Sequence, residues 1–272
     1  MGNQSMFNVH IGLPGIAPNL LHTLAKQCSF SGEKVAHVLS TGEWRNNLRH
    51  IIIPTKNTIE VSEEEREATA SKIQNRLNNA PLAISQHAVL GGMGDSFRGD
   101  VKFPQAKARI SQLTGLLYET PFTMHILICN QAEYAARLAS SSNKPFPPID
   151  GGNIPSWANL VKRIQKTAPN WPIVVWDFDD AKAISLLFVV KLLNISADAD
   201  MKSVRDFLVT HFETLIGTPS IENAIQLSDE LVENMDMQYE ADLATIATLP
   251  DVTFVSAKTV PEIYRISPVG NQ

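Results

Sequence analysis

Short apolar runs alternate with segments of helical periodicity along most of the chain. The apolar runs are short enough for buried strands, and most of them begin or end near proline or glycine. They span Phe7–Leu13, Val35–Leu39, Leu82–Ser85, Thr123–Cys129, Ile173–Phe178 and Val252–Val255. Amphipathic segments predict helices over 19–28, 62–79, 104–118, 131–142, 157–167, 180–193, 202–216 and 220–248. This alternation predicts a three-layer α/β fold, with a doubly wound, mainly parallel sheet covered by helices on both faces.

Local capping signals mark where some of these helices begin. Ser62 and Glu65 have the spacing of a capping box. The acidic run after Ser62 is then a solvated first turn, where carboxylates are favourable. Asp179 or Asp180 is expected to cap the helix that follows the strand Ile173–Phe178. The alternative for these aspartates is a strand-end site that binds Mg²⁺ or accepts a proton; we favour the cap.

The length and composition are those of one folded domain. The chain has 272 residues, 44% of them hydrophobic, and a net charge of −5, which excludes disorder as the main state. We expect a single domain over 1–272, in which 220–272 forms a helical C-terminal extension packed on the rest. No apolar run is long enough for a membrane helix, and the start is too polar for a signal peptide. Two cysteines in apolar surroundings, Cys28 and Cys129, fit a reducing cytoplasm.

The charge is unevenly distributed. Residues 1–110 carry 12 basic and 9 acidic residues, whereas residues 111–272 carry 11 basic and 19 acidic residues. The first part could therefore face an anion more easily than the second. The whole chain is too acidic for a general nucleic-acid binder. No pair of histidines with a carboxylate has the spacing of a zinc site, so no metal is expected.

The turn after the first strand is the first candidate site. In a doubly wound sheet the end of this strand and the start of the next helix form the usual ligand crevice, and a helix N-terminus attracts anions. The turn from Leu13 to Asn19 reads LPGIAPN. It has neither the lysine and hydroxyl of a Walker loop nor three spaced glycines. On residue chemistry alone, a tight structural turn is favoured over a phosphate site.

Several motifs resemble the bacterial sulfotransferase-like P-loop family in order and spacing. VHIGLPGIAPNLLHTLA (9–25) is similar to the family's opening strand, its L-P-K-T-G-T-T loop and its first helix. ISQH (84–87), followed by Gly91, resembles an I-S-x-E…G segment. ILICNQAEYAARLA (126–139) resembles a strand followed by R-R-Q-x-x-Y and S-L-Y. Similar positions continue through Trp157, Arg163, VVWDFD (174–179) and Tyr239-x-x-Asp242-Leu243. The resemblance implies the P-loop fold and a site for 3′-phosphoadenosine 5′-phosphosulfate.

This chain departs from the family pattern where the donor would bind. The family's loop lysine falls at Gly15, and its hydroxyls fall at Pro18 and Asn19. The arginine pair expected to hold the 3′-phosphate falls at Cys129 and Asn130. Charge-assisted hydrogen bonds contribute about 1.5–3 kcal/mol each, so losing several of them weakens donor binding by orders of magnitude.

Two further positions bear on the same site. The family serine falls at Arg137, which could replace a missing cation, although we do not favour this. The family glutamate falls at His87, which is a candidate general base on an acceptor hydroxyl. The alternative, which we favour, is a loop histidine bonded to local backbone. His10 and His125 lie inside strand patterns and are expected to be core histidines.

Two functions follow from the resemblance and its departures. The favoured one is a non-catalytic sulfotransferase-like binding protein with a degraded donor site and no cofactor, whose partner is an unidentified small molecule, glycan or protein. The alternative is an active sulfotransferase, or related group transferase, that uses 3′-phosphoadenosine 5′-phosphosulfate at an altered donor site. In either case His87 is the candidate catalytic residue. The candidate cofactor-binding positions are Leu13, Pro14, Gly15, Ile16, Ala17, Pro18, Asn19, Ser85, Asn130 and Arg137.

Overall fold

A six-stranded, all-parallel sheet forms the centre of the protein. The computed structural model describes residues 7–12, 35–53, 61–86, 89–92, 95–97, 99, 101–141, 149, 154–196, 201–215 and 227–266. Its strands are β1 (Phe7–His10), β2 (His37–Val38), β3 (Leu82–Ser85), β4 (Thr123–Ile128), β5 (Ile173–Asp177) and β6 (Val252–Val255). They are arranged in the order β2-β3-β1-β4-β5-β6. The predicted α/β class with a parallel sheet is confirmed.

Helices occupy each of the connections from β2 onward. They are α1 (Thr41–Glu43), α2 (Arg49–Ile52), α3 (Glu63–Leu77), α4 (Ala106–Leu116), α5 (Gln131–Ser141), α6 (Trp157–Thr167), α7 (Ala181–Leu192), α8 (Met201–Leu215) and α9 (Asp229–Ile246). The predicted helices from 62 onward each overlap one of these, and α6 has the predicted bounds. The helix predicted from Asn19 lies outside the described residues. None of the described helices is both long and apolar enough to cross a membrane.

The helical segment between β2 and α3 was not predicted. Ser40 and Glu43 form a capping box at the start of α1, and Trp44–Leu48 then makes a π-helical turn before α2. This wider turn changes the spacing of the apolar positions, so a regular helical period does not describe the segment. The segment nevertheless contributes buried apolar side chains to the core, at Trp44, Leu48, Ile51 and Ile52.

The strand order places β1 between the two halves of the sheet. From β1 the chain first builds β2 and β3 on one side, and then β4, β5 and β6 on the other. His10, at the end of β1, is level with Ser85 of β3 and with His125 of β4. Because the strands are parallel, the carboxyl ends of β1, β3 and β4 lie at the same edge of the sheet, with β4 extending to Ile128. The strand order reverses at this point, which is the position of a ligand crevice in open α/β sheets.

The helices form two groups around the sheet. Helix α7 is apolar nearly all round, and it contacts β1, β5 and α8. Helix α6 contacts α4 and α9, and α9 also contacts α5. Right-handed crossovers from β3 through β4 to β5 place α4, α5 and α6 on one face of the sheet.

A polar network lies inside the core beside β1. The amide of Asn8 donates to the carbonyls of Lys191 and Leu192 at 3.0 and 3.2 Å, and its oxygen lies 3.1 Å from Nε2 of His125. Trp176 donates its indole N–H to Nδ1 of His125 at 3.1 Å. His125 therefore carries its proton on Nε2 and is neutral, and burial lowers its pKa to about 3. His10 and His125 are buried in the core, as predicted.

Candidate functional site

The predicted donor-site residues divide into two sets. The turn Leu13–Asn19 and His87 lie outside the described residues, as does most of the proline-rich segment 143–156. Ser85, Asn130 and Arg137 are described. Ser85 ends β3, Asn130 precedes α5 and Arg137 lies within α5. The described part of the candidate site consists of the carboxyl ends of β1, β3, β4 and β5 and of the residues that follow them.

Ser85 interacts with the last residue of the neighbouring strand. Its hydroxyl lies 2.9 Å from Nδ1 of His10, and the two residues are level in the β1–β3 register. The His10 ring also packs edge-on against Phe188. A Cβ at Gly12 would approach the His10 ring to 2.4 Å, so a residue with a side chain there displaces the imidazole. Gly12 thus allows the histidine to face Ser85.

Asn130 caps α5 and also donates hydrogen bonds to two aspartates. Its side-chain oxygen accepts hydrogen bonds from the backbone N–H groups of Ala132 and Glu133 at 2.8 and 3.4 Å. Its amide donates to Asp236 at 2.6 Å, and its backbone N–H donates to Asp179 at 3.4 Å. The donors of Asn130 therefore face carboxylates of the protein itself.

Arg137 pairs with a carboxylate one helical turn earlier. Its Nε and NH2 groups lie 2.9 and 2.5 Å from Oε1 of Glu133. Burial raises the pKa of Glu133, Arg137 lowers it, and a hydrogen bond with Asp179 raises it again. Arg137 is 9% exposed. Its charge is thus offset within α5, which does not support Arg137 as a replacement for the cations that the sulfotransferase resemblance leads us to expect.

More carboxylates lie at the end of β5. Asp177 accepts a hydrogen bond from the hydroxyl of Tyr239 at 2.5 Å. Burial raises the pKa of Asp177, and the Tyr239 hydrogen bond offsets part of this effect. Asp180 caps α7 by accepting from the N–H of Ala183 at 3.1 Å, which confirms the predicted cap. Among the described residues, no three or more His, Cys, Asp or Glu side chains form a group that could hold a metal ion.

Cys129 does not have the surroundings of a reactive thiol. It is fully buried at the end of β4, and burial raises its pKa well above the ordinary value. Its carbonyl accepts a hydrogen bond from the Trp157 indole at 2.9 Å. Since the thiolate is the reactive form, Cys129 is a packed apolar residue, as its sequence context predicted.

A buried lysine inside a set of aromatic rings was not found from the sequence. Lys102 is 1% exposed, and its Nζ lies 3.9 Å from the ring centre of Trp157, 4.4 Å from that of Phe97 and 5.6 Å from that of Tyr134. We call these three rings the aromatic box. Nζ has no hydrogen-bond partner within the described part of the chain. Burial lowers the pKa of Lys102 to about 7.

The aromatic box lies beside the carboxyl end of β4. Trp157 is tied to the carbonyl of Cys129, and Tyr134 belongs to α5, the helix that follows β4. The Tyr134 hydroxyl pairs with Ser96 at 2.9 Å. The three ring positions are 37 and 23 residues apart in sequence. No local sequence pattern indicates such a site, because the sequence predicts each of these aromatic residues, taken alone, to be a core residue.

Asp242 of α9, far from the box in sequence, holds the start of α6, which carries Trp157. Asp242 is 2% exposed and accepts hydrogen bonds from the Trp157 backbone N–H at 2.7 Å and from the Ser156 hydroxyl at 2.5 Å. Gln131 and Gln238 donate to it at 3.4 and 3.0 Å. Helix α9 thereby holds the N-terminus of α6, where a carboxylate is favourable.

A cleft of about 410 Å³ lies at the opposite edge of the sheet. It is lined by Pro169, Asn170, Trp171, Pro172, Asp251, Val252 and Thr253. These residues precede or begin β5 and β6, so the cleft is at the amino ends of the strands. The strand-end groups described above do not line it.

Known proteins give no further guide to the chemistry of this site. No family model, no curated protein and no solved structure matches the chain significantly.

Proposed function

We propose that this is a sulfotransferase-like binding protein that recognises a ligand without transferring a sulfuryl group. The observation that carries the proposal is the chemistry at the carboxyl ends of β4 and β5. Where the resemblance expects two arginines, the chain has the buried thiol of Cys129 and the helix-capping Asn130. Glu133, Asp177 and Asp179 lie around them.

The electrostatics of this edge oppose a doubly phosphorylated donor. A phosphate brought beside several carboxylates is repelled, and nearby like charges cost more where water is excluded. Arg137 does not reverse this, because its guanidinium is paired with Glu133 at 2.5 Å. The edge is better suited to a neutral or cationic ligand than to an anion.

Titration with adenosine 3′,5′-bisphosphate tests the proposal directly. A ligand present at about 100 times its Kd stabilises a protein by about 2.7 kcal/mol, which a melting curve detects. We expect no saturable change in Tm at millimolar concentrations. Saturable stabilisation in the micromolar range would overturn the proposal and favour the alternative, an active transferase with an altered donor site.

Restoring the loop lysine is a second test. We expect Gly15→Lys alone to leave the bisphosphate unbound, because positions 129 and 130 remain neutral and the neighbouring carboxylates remain. Gly15→Met is the matched control, since it adds a side chain of similar length without the charge. Tight binding by Gly15→Lys, with none by Gly15→Met, would show that one cation is sufficient and would contradict our account of this edge.

A further inference from the structure

The aromatic box holds a cation that it does not suit. A lysine ammonium has three N–H donors and normally finds acceptors for them. Nζ of Lys102 has none within the described part of the chain, and it meets three ring faces instead. Ring faces attract a cation, but they satisfy N–H donors only weakly. The box therefore provides what an ammonium without N–H groups needs, and little of what a primary ammonium needs.

The difference lies in the cost of removing each cation from water. A primary ammonium is strongly hydrated and loses those hydrogen bonds when it enters the box. A fully alkylated ammonium has no N–H to lose and gains the same attraction to the rings. Enclosure of a cation by several aromatic rings is how proteins recognise quaternary ammonium groups.

We propose that the aromatic box of Phe97, Tyr134 and Trp157 is a binding site for an alkylated ammonium group, and that Lys102 occupies it as a displaceable internal substitute. The proposal rests on the proposed binding function and names its ligand class. The rings come from three parts of the chain: the segment after β3, α5 and the start of α6. The box lies next to the acidic edge formed by β4 and β5, and this edge favours a cation on approach.

The backbone around Lys102 holds the lysine in this position. The Arg163 guanidinium donates to the carbonyl of Lys102. The next residue, Phe103, has a φ of 51°, a left-handed conformation that is rare for a bulky side chain. The main chain is thus held on the carboxyl side of the Lys102 Cα. Displacement moves the flexible side chain, with its four methylene groups, rather than the segment.

Tetramethylammonium is the probe for the test, and Lys102→Ala is the principal variant. The alanine vacates the box, so the probe should raise Tm and change tryptophan fluorescence saturably. We expect binding to this variant at least about tenfold tighter than to the wild type, where the probe must first displace Lys102. tert-Butanol has the same number of heavy atoms and a similar shape without the charge, and it should bind about tenfold more weakly. Sodium chloride at equal concentration controls for ionic strength.

A measurement on the wild-type chain covers the case in which Lys102→Ala does not fold. If the probe displaces Lys102, the amine becomes accessible, so its labelling by an amine-reactive ester should rise several-fold when tetramethylammonium is added. Lys107, which is exposed five residues away, is the internal control and should not change. Mass spectrometry of the labelled peptides measures both lysines in one sample.

The two experiments distinguish an alkylated-ammonium site from a buried lysine without a ligand-binding role. Saturable binding that prefers tetramethylammonium to tert-butanol, together with probe-dependent labelling of Lys102, supports the site. A folded Lys102→Ala variant that responds equally to both probes, or to neither, overturns it, as does unchanged Lys102 labelling in the wild type. Failure here leaves the bisphosphate test unaffected, because that test concerns the phosphate site alone.

Discussion

Asp242 and Lys102 are both buried charged residues, but the protein treats them in opposite ways. Asp242 accepts four hydrogen bonds, from Ser156, Trp157, Gln131 and Gln238. Lys102 has no hydrogen-bond partner within the described part of the chain and lies among aromatic rings, and the charge of Asp242 only partly offsets the effect of burial on its pKa. A buried charge whose hydrogen bonds are all satisfied stabilises the fold, whereas a buried charge without hydrogen-bond partners destabilises it. The pair thus distinguishes a structural ion from a functional candidate.

The largest effect is expected from Asp242→Ala. The substitution leaves four donors without their acceptor and uncouples α9 from α6, so we expect a loss of about 3–5 kcal/mol in the free energy of unfolding. Denaturant unfolding followed by circular dichroism measures the loss. Gln238→Ala is the control, because it removes one donor of the four and should cost about 1 kcal/mol. Equal losses in the two variants would mean that Asp242 is not the centre of this network.

Lys102→Met should raise the free energy of unfolding, whereas Asp242→Ala should lower it. The pKa of Lys102 is lowered from 10.5 to about 7. Below pH 7 the folded protein therefore bears the full cost of the buried charge, and this cost declines between pH 7 and 10.5 because the unfolded chain binds more protons there. We expect the methionine variant to be more stable than the wild type by about 2–4 kcal/mol at pH 6, with the difference shrinking towards pH 10.

Melting curves across this pH range measure the difference. Lys107→Met removes an exposed charge of the same type and should change stability by less than about 0.5 kcal/mol at every pH. A Lys102→Met variant that is less stable than the wild type at pH 6 would show that ring attraction outweighs the cost of burial.

His125 offers a smaller test, with a neutral buried group. Its pKa is lowered from 6.5 to about 3 by burial, so its stabilising effect is complete above pH 6.5 and is lost as the pH falls towards 3. Between these two pKa values the free energy of unfolding falls by about 1.4 kcal/mol per pH unit, so about 2 kcal/mol is lost at pH 5. Nitrogen NMR of the imidazole should show one unchanged tautomer, with the proton on Nε2, down to about pH 4. A titration midpoint near 6.5 would place His125 outside the hydrogen-bonded network with Asn8 and Trp176.

The sequence predicted the sheet and its helices best where the periodicity is regular. The apolar runs at β3 and β6 and the amphipathic pattern of α6 have the bounds found in the structure. The segment around Trp44 was missed because its π-helical turn breaks the helical period. Whether an element was predicted therefore depended on the regularity of its local sequence pattern.

The site was harder to predict because its residues meet only in three dimensions. The cap at Asp180 is a local interaction and could be predicted. Lys102 could not, since its surroundings depend on rings at positions 97, 134 and 157, brought together by the folding of three separate segments. The pairing of Arg137 with Glu133 has the ordinary spacing of one helical turn, and this signal in the sequence could have been used.

The hydrogen bond from Trp157 to Asp242 has a consequence for how the protein is made. The two residues are 85 positions apart, so Trp157 leaves the ribosome long before its carboxylate partner has been synthesised. Until then the backbone N–H of Trp157, in the first turn of α6, lacks its acceptor. The aromatic box is therefore completed late in translation, and a chain that ends before position 242 would contain all three rings without the carboxylate that holds the start of α6.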